Sequence, residues 1–97
     1  MTKKEIVRAV SEEMELTQQA TKAIVQKTFE VIIEMLCQEK RIEIRNFGVF
    51  EVRQRKPRRA RNPKTSQQVV IPARMVVSFR PGKVMEDRVG EIPTETE

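Results

Sequence analysis

The middle of this chain contains a segment that cannot enter a hydrophobic core. Residues 55–68 include six Lys or Arg and no apolar side chain larger than that of proline. Sequence rich in β-branched residues flanks the segment on both sides, as is typical of strands. We therefore predict a protruding two-stranded ribbon, the arm, at about residues 53–73, with its tip near Asn62 and Pro63. At about 3.3 Å per residue, limbs of eight or nine residues would extend roughly 27 Å.

The positive charge of the chain is concentrated in the same region. The formal net charge is +5, but residues 52–85 carry ten Lys or Arg and no Asp or Glu. Residues 1–51 carry eight against nine acids, and residues 86–97 carry one against five. A long acid-free basic stretch indicates a polyanionic partner, with nucleic acid as the first candidate. The alternative, a solvated and disordered basic loop, fits less well because such arms normally lie at a terminus.

Composition excludes several classes of protein. The chain has 97 residues, no His and a single cysteine, Cys37. These facts exclude an intrachain disulfide, a multi-cysteine zinc site and a papain-like protease, and we expect no metal, no cofactor and no enzymatic activity. At most three strongly apolar residues follow one another, so we expect neither a signal peptide nor a membrane span. A soluble, reducing compartment with Cys37 as a packed free thiol is the resulting expectation.

The first half of the chain is predicted to be helical. Thr2 and Glu5 have the spacing of a capping box before apolar residues at helical intervals. Thr17 can cap a second, longer helix, whose apolar stripe runs from Ala20 to Leu36. A stripe this broad on so short a chain needs more than one partner surface, so it predicts a dimer interface.

The second half is predicted to be mostly strand. From Ile42 the apolar period becomes two, and Asn46-Phe47-Gly48 predicts a hairpin turn. Extended sequence resumes at residues 69–71 and continues to Phe79, and a short last helix follows at about residues 83–89. The tail, residues 90–97, is acidic and is expected to be disordered.

Three motifs resemble a known family when they are taken together. They are Asn46-Phe47-Gly48-Val49-Phe50, Arg61-Asn62-Pro63-Lys64-Thr65 and Phe79-Arg80-Pro81-Gly82-Lys83. In this order and separation they resemble the bacterial histone-like HU and integration host factor family over about residues 2–89. The resemblance implies an α+β fold with residues 1–89 as one DNA-binding domain. It also implies an intertwined dimer, with a helical base, an antiparallel β saddle and two arms that embrace the minor groove.

The resemblance further implies which residues contact DNA. Pro63 would insert between base pairs and kink the duplex, a role compatible with its turn-making chemistry. Lys3 and Lys83 match family positions that meet flanking DNA, and Arg45 matches an arginine that enters the minor groove. Together with cations of the basic stretch, the predicted DNA-binding residues are Lys3, Arg45, Arg53, Arg55, Arg58, Arg59, Arg61, Asn62, Pro63, Lys64, Arg74, Arg80 and Lys83.

The chain also departs from the family pattern. The family commonly has glycine at the positions of Glu39, Asn46 and Ser66, and it usually ends before the acidic tail. Asn tolerates a left-handed turn, whereas Glu39 weakens the expected stop of the second helix.

These features predict an architectural protein that binds the minor groove of duplex DNA and bends or compacts it, largely independently of sequence. It would act as a homodimer, in the cytoplasm and associated with the nucleoid, without a small-molecule substrate. One alternative is a subunit of an integration-host-factor-like heterodimer with sequence-specific bending. Another is an interaction protein whose basic arm binds an acidic protein or a membrane surface. The arm lacks the amphipathic helix and interleaved aromatic residues that a membrane contact favours.

Overall fold

The computed structural model describes residues 1–95, which contain three α-helices and five β-strands in the predicted order. The elements are α1 (Lys3–Met14), α2 (Gln18–Glu39), β1 (Arg41–Ile44), β2 (Gly48–Arg55), β3 (Arg58–Arg61), β4 (Gln68–Ile71), β5 (Arg74–Pro81) and α3 (Lys83–Gly90). The α+β class is confirmed. Residues 96 and 97, which end the predicted acidic tail, lie outside the described residues. By their internal contacts the described residues divide into two compact units, the first ending at Met35 and the second beginning at Leu36.

Local capping fixes both helix starts in the first unit. The Thr2 backbone N–H donates to Glu5 Oε2 at 2.8 Å, and the Thr2 hydroxyl donates to the same oxygen at 2.5 Å. These bonds to Thr2 hold the pKa of the Glu5 carboxyl below its ordinary value. Thr17 Oγ1 accepts the Ala20 N–H at 3.2 Å at the start of α2. Both predicted caps are therefore confirmed.

The single chain buries very little apolar surface. Among the described residues, Val7 is the one large apolar side chain that is buried. On α2, Ile24 and Ile33 are 58% and 64% exposed, although the sequence places them on a broad apolar stripe. Cys37 is also exposed, so the prediction of a packed thiol is wrong for the isolated chain. None of the helices in the described residues has the length and apolar character needed to cross a bilayer.

The second unit is built on an antiparallel sheet with the strand order β1-β2-β5. Phe50 pairs with Ile42 on one side and with Phe79 on the other, so alternate residues form an apolar face. The Phe50 and Phe79 ring centroids lie 4.8 Å apart. Val77, on the same face, is 59% exposed. The face is therefore ordered by its own aromatic contacts but left largely uncovered in the single chain.

Left-handed residues end the elements at several turns. The predicted hairpin is confirmed, with Asn46 at φ 65° between β1 and β2. The helix α2 runs through Glu39, and the residue after it, Lys40, has φ 65°. The helix stop therefore falls one residue after the position where we expected it, and it is made by a lysine. The last helix, α3, extends to Gly90, one residue beyond its predicted end.

Candidate nucleic-acid interface

The predicted tip of the arm is present as a short antiparallel ribbon. Strands β3 and β4 pair from Arg58 with Ile71 to Arg61 with Gln68. We call these strands and their turn the distal ribbon. At its end the Asn62 N–H donates to the Gln67 carbonyl at 2.9 Å, which closes a loop that carries Pro63.

The turn at the tip is organised by one asparagine. The Asn62 side-chain oxygen accepts the Lys64 N–H at 2.9 Å, and its carbonyl accepts the Ser66 N–H at 2.8 Å. Ser66 is left-handed, with φ 59°. Pro63 is exposed on this loop. A rigid apolar ring is therefore presented at the outer end of a cationic ribbon.

The sequence predicts one continuous ribbon for the arm. The structure instead has two paired segments. The ladder between β2 and β5 ends at Arg55 and Arg74, and the ladder of the distal ribbon begins at Arg58 and Ile71. The predicted strand from residue 69 to Phe79 is likewise interrupted, at Pro72 and Ala73. Both limbs carry a proline in the gap, and proline has no backbone donor for a ladder.

Cations from both limbs meet at this interruption. A cavity of about 550 Å³ is lined by Arg55, Lys56, Arg58 and Arg74, with Ile71 and Pro72. Three of these cations were predicted DNA-binding residues, and Lys56 was not. In the part of the chain that the structure describes, none of the four is paired with a carboxylate.

A second group of cations lies on the polar face of the sheet, opposite the aromatic face. A groove of about 310 Å³ there is lined in part by Glu51, Arg53, Arg55 and Arg80. Arg53 Nη2 lies 2.8 Å from Glu51 Oε1, and Arg41 Nε lies 3.6 Å from Glu51 Oε2. Sequence analysis missed these ion pairs. The i,i+2 spacing of Glu51 and Arg53 on a strand was the signal for one of them, whereas the Arg41 contact depends on strand register.

The remaining predicted contacts occupy separate positions. Arg59, Arg61 and Lys64 are exposed on the distal ribbon, and Arg45 is exposed in the turn after β1. Lys83 is the first residue of α3, and its Nζ lies 3.8 Å from Asp87 Oδ2. In the other unit, Lys3 begins α1 and hydrogen-bonds to the Gln26 side chain.

Comparison with known proteins agrees with this geometry. The family model described as "Bacterial DNA-binding protein" matches residues 1–90. DNA-binding protein HU 1 of Bacillus subtilis is 39% identical over 89 residues, covering 92% of this chain and 97% of that protein. Integration host factor subunit beta of Halorhodospira halophila is 42% identical over 90 residues, covering 92% and 88%. The Anabaena HU–DNA cocrystal structure matches with a TM-score of 0.89 at 37% identity, covering 94% of this chain and 99% of that one.

Proposed function

Because the chain belongs to the bacterial DNA-binding protein family, we propose that it is a non-enzymatic architectural protein that binds duplex DNA in the minor groove and bends it. The observation that carries this proposal is the distal ribbon, which presents an exposed proline among cations without carboxylate partners in the described chain. Its place of action would be the nucleoid, in the cytoplasm.

Phosphate neutralisation supplies most of the affinity in this proposal. A planar guanidinium fits narrow grooves and phosphate oxygens well. The cations that face phosphates and groove edges are Arg55, Arg58, Arg59, Arg61, Lys64 and Arg74. Pro63, next to Asn62, is the wedge that unstacks one base step and kinks the duplex. The contact also includes Arg53 at the base of the arm. Beyond the arm it includes Arg45, Arg80, Lys83 and Lys3.

The working unit is a dimer. Two apolar surfaces, on α2 and on the aromatic face of the sheet, are exposed in the single chain, as the 64% exposure of Ile33 and the 59% exposure of Val77 illustrate. A second copy that covers them would supply the core that a 97-residue chain otherwise lacks. A folded 11.3 kDa monomer in sedimentation equilibrium would contradict the dimer.

A heterodimer is the second candidate. The chain is about as similar to an integration host factor subunit, at 42% identity, as to HU 1, at 39%. Binding of the pure chain to random and to site-selected duplexes distinguishes the homodimer from the heterodimer. Equal affinities support sequence-independent action by a homodimer, and weak binding to both that a second subunit restores supports the heterodimer.

Salt dependence tests the proposal as a whole. We expect log affinity for linear, nicked and four-way-junction DNA to fall steeply with log salt, because each neutralised phosphate releases counterions. Tighter binding to the nicked and junction substrates is expected for a protein that bends DNA. A flat salt dependence would instead favour an interaction protein whose arm binds an acidic protein or a membrane surface.

A further inference from the structure

The two ladders of the arm share one register. Moving one residue forward along β2 moves its partner one residue back along β5, from the pair of Gly48 with Pro81 to the pair of Arg55 with Arg74. The same correspondence resumes at the pair of Arg58 with Ile71. No residue has been inserted or lost between the ladders, so the register places Pro57 directly opposite Pro72.

This pair of prolines explains why the first ladder stops. The Val52 N–H points to β1, where it donates to the Lys40 carbonyl at 2.8 Å. Odd-numbered residues of β2 therefore bond to β5, in agreement with the 2.8 Å bond from the Gly82 N–H to the Phe47 carbonyl at the base of this ladder. The next bonded pair beyond Arg55 is Pro57 with Pro72, and neither residue has an N–H.

The distal ribbon uses the opposite alternation. Its bond from the Asn62 N–H to the Gln67 carbonyl lies at an even-numbered residue of the ascending limb. The residues that bond across the ladder are therefore odd-numbered on β2 and even-numbered on the limb that contains β3. The change occurs across residues 56–57 and 72–73. No ladder pair spans these positions, and β3 and β4 form a two-stranded sheet of their own.

Like charges face each other beside this interruption. Arg55 and Arg74 are direct cross-strand partners, an arrangement that is destabilising unless an anion lies between the two groups. Lys56 and Arg58 line the same cavity of about 550 Å³. Four cations from the two limbs thus surround a space that no carboxylate of the described residues fills.

We propose that this cavity is an anion site for one phosphate group, and that its occupation fixes the distal ribbon against the sheet across the hinge formed by Pro57 and Pro72. Arg55 and Lys56 would hold the phosphate from one limb, and Arg74 would hold it from the other. The identification of a DNA backbone phosphate as its source rests on the proposed function. An inorganic phosphate ion shares the chemistry that the site recognises.

The site is tested by NMR on the full ¹⁵N-labelled chain, titrated with inorganic phosphate at constant ionic strength. We expect saturable shifts at the amides of Lys56 and Ala73, and slower motion of the distal ribbon relative to the sheet. Lys56→Gln should weaken the phosphate affinity about tenfold, since hydrogen bonds to charged groups are the strong ones. Lys27→Gln, the same change at an exposed lysine of α2, should leave the affinity unchanged.

The hinge is tested by the double substitution Pro57→Ala and Pro72→Ala, which restores two N–H donors. We expect slowed amide exchange across residues 55–58 and ribbon motion that phosphate no longer alters. Shifts that rise linearly without saturation, or equal losses in Lys56→Gln and Lys27→Gln, would overturn the site. Should the double variant not fold, the paired lysine variants still decide the matter.

Duplex DNA separates this inference from the proposed function. Duplex binding by the wild type without a saturable phosphate response would overturn the anion site and leave the proposed function standing. A saturable phosphate response without duplex binding would support the anion site and contradict the proposed function. If both sources shift the same amides, and Lys56→Gln weakens both, the occupant is a backbone phosphate.

Discussion

Glu51 holds the guanidinium of Arg53 by an ion pair on the polar face of β2, with Nη2 2.8 Å from Oε1. The other carboxylate oxygen, Oε2, lies 3.6 Å from Arg41 Nε. Arg53 was predicted to contact DNA, yet it is engaged by a carboxylate of the same surface. Glu51 is about one-third exposed, so a DNA phosphate can compete with it for both arginines.

We therefore predict that Glu51→Gln strengthens DNA binding. Exposed ion pairs typically contribute ~0.2–1 kcal/mol, so removing the competitor should raise duplex affinity by at most about fivefold at low salt. The log–log salt slope should become steeper by up to about 0.9, since one more phosphate is neutralised. A salt series by fluorescence anisotropy measures both quantities. Glu12→Gln makes the same charge change on α1, and an equal effect in that variant would show that net charge alone is responsible.

Pro63→Ala should separate bending from binding. The substitution removes the exposed ring at the tip but no cation, so duplex affinity should change less than about tenfold. The bend angle should fall, because alanine cannot hold a base step open as a wedge. Energy transfer between the ends of a labelled duplex measures the angle, and Pro93→Ala is the matched control. An unchanged bend angle in Pro63→Ala would remove Pro63 from this role.

Local features of this chain were predictable from sequence, and features set by strand pairing were not. The capping pair of Thr2 with Glu5 and the turn at Asn46 depend on residues within a few positions. The break in the arm depends on Pro57 lying opposite Pro72, which only the register reveals. Both prolines are visible in the sequence, but a proline by itself says nothing about its cross-strand neighbour.

The left-handed residues predict stabilising substitutions. Lys40 has φ 65° and Ser66 has φ 59°, a region that costs roughly 1–2 kcal/mol for residues with a Cβ. Lys40→Gly and Ser66→Gly should each raise the free energy of unfolding by about 0.5–1 kcal/mol, after the larger entropy of glycine in the unfolded chain is subtracted. Urea denaturation at one fixed protein concentration measures this. Lys27→Gly, inside α2, should instead destabilise by about 1 kcal/mol.

Gly48 should tolerate no side chain. A Cβ at this position would lie 2.6 Å from the Arg80 carbonyl oxygen and 2.6 Å from the Phe79 ring. Neither the strand backbone nor the packed ring can retreat cheaply, so Gly48→Ala should lower the free energy of unfolding by roughly 1–3 kcal/mol. Thermal unfolding followed by circular dichroism is the measurement. Gly90→Ala is the control, because a Cβ there meets nothing within 4 Å, and a similar loss in both variants would contradict the steric explanation.

The cap of α1 predicts a dependence of stability on pH. The bonds from Thr2 lower the pKa of Glu5 in the folded state, so the ionised carboxylate stabilises the fold. This contribution is fully present above the unfolded-state value of about 4.5 and is lost as the pH falls through the lower folded-state value. Glu5→Gln should therefore be less stable than the wild type at pH 7, and the two should converge as the pH falls below about 4.5. Urea unfolding of both proteins across pH 3–7, with Glu13→Gln as the control, measures the difference, and a gap that persists unchanged at pH 3 would mean that the charge of Glu5 is not its source.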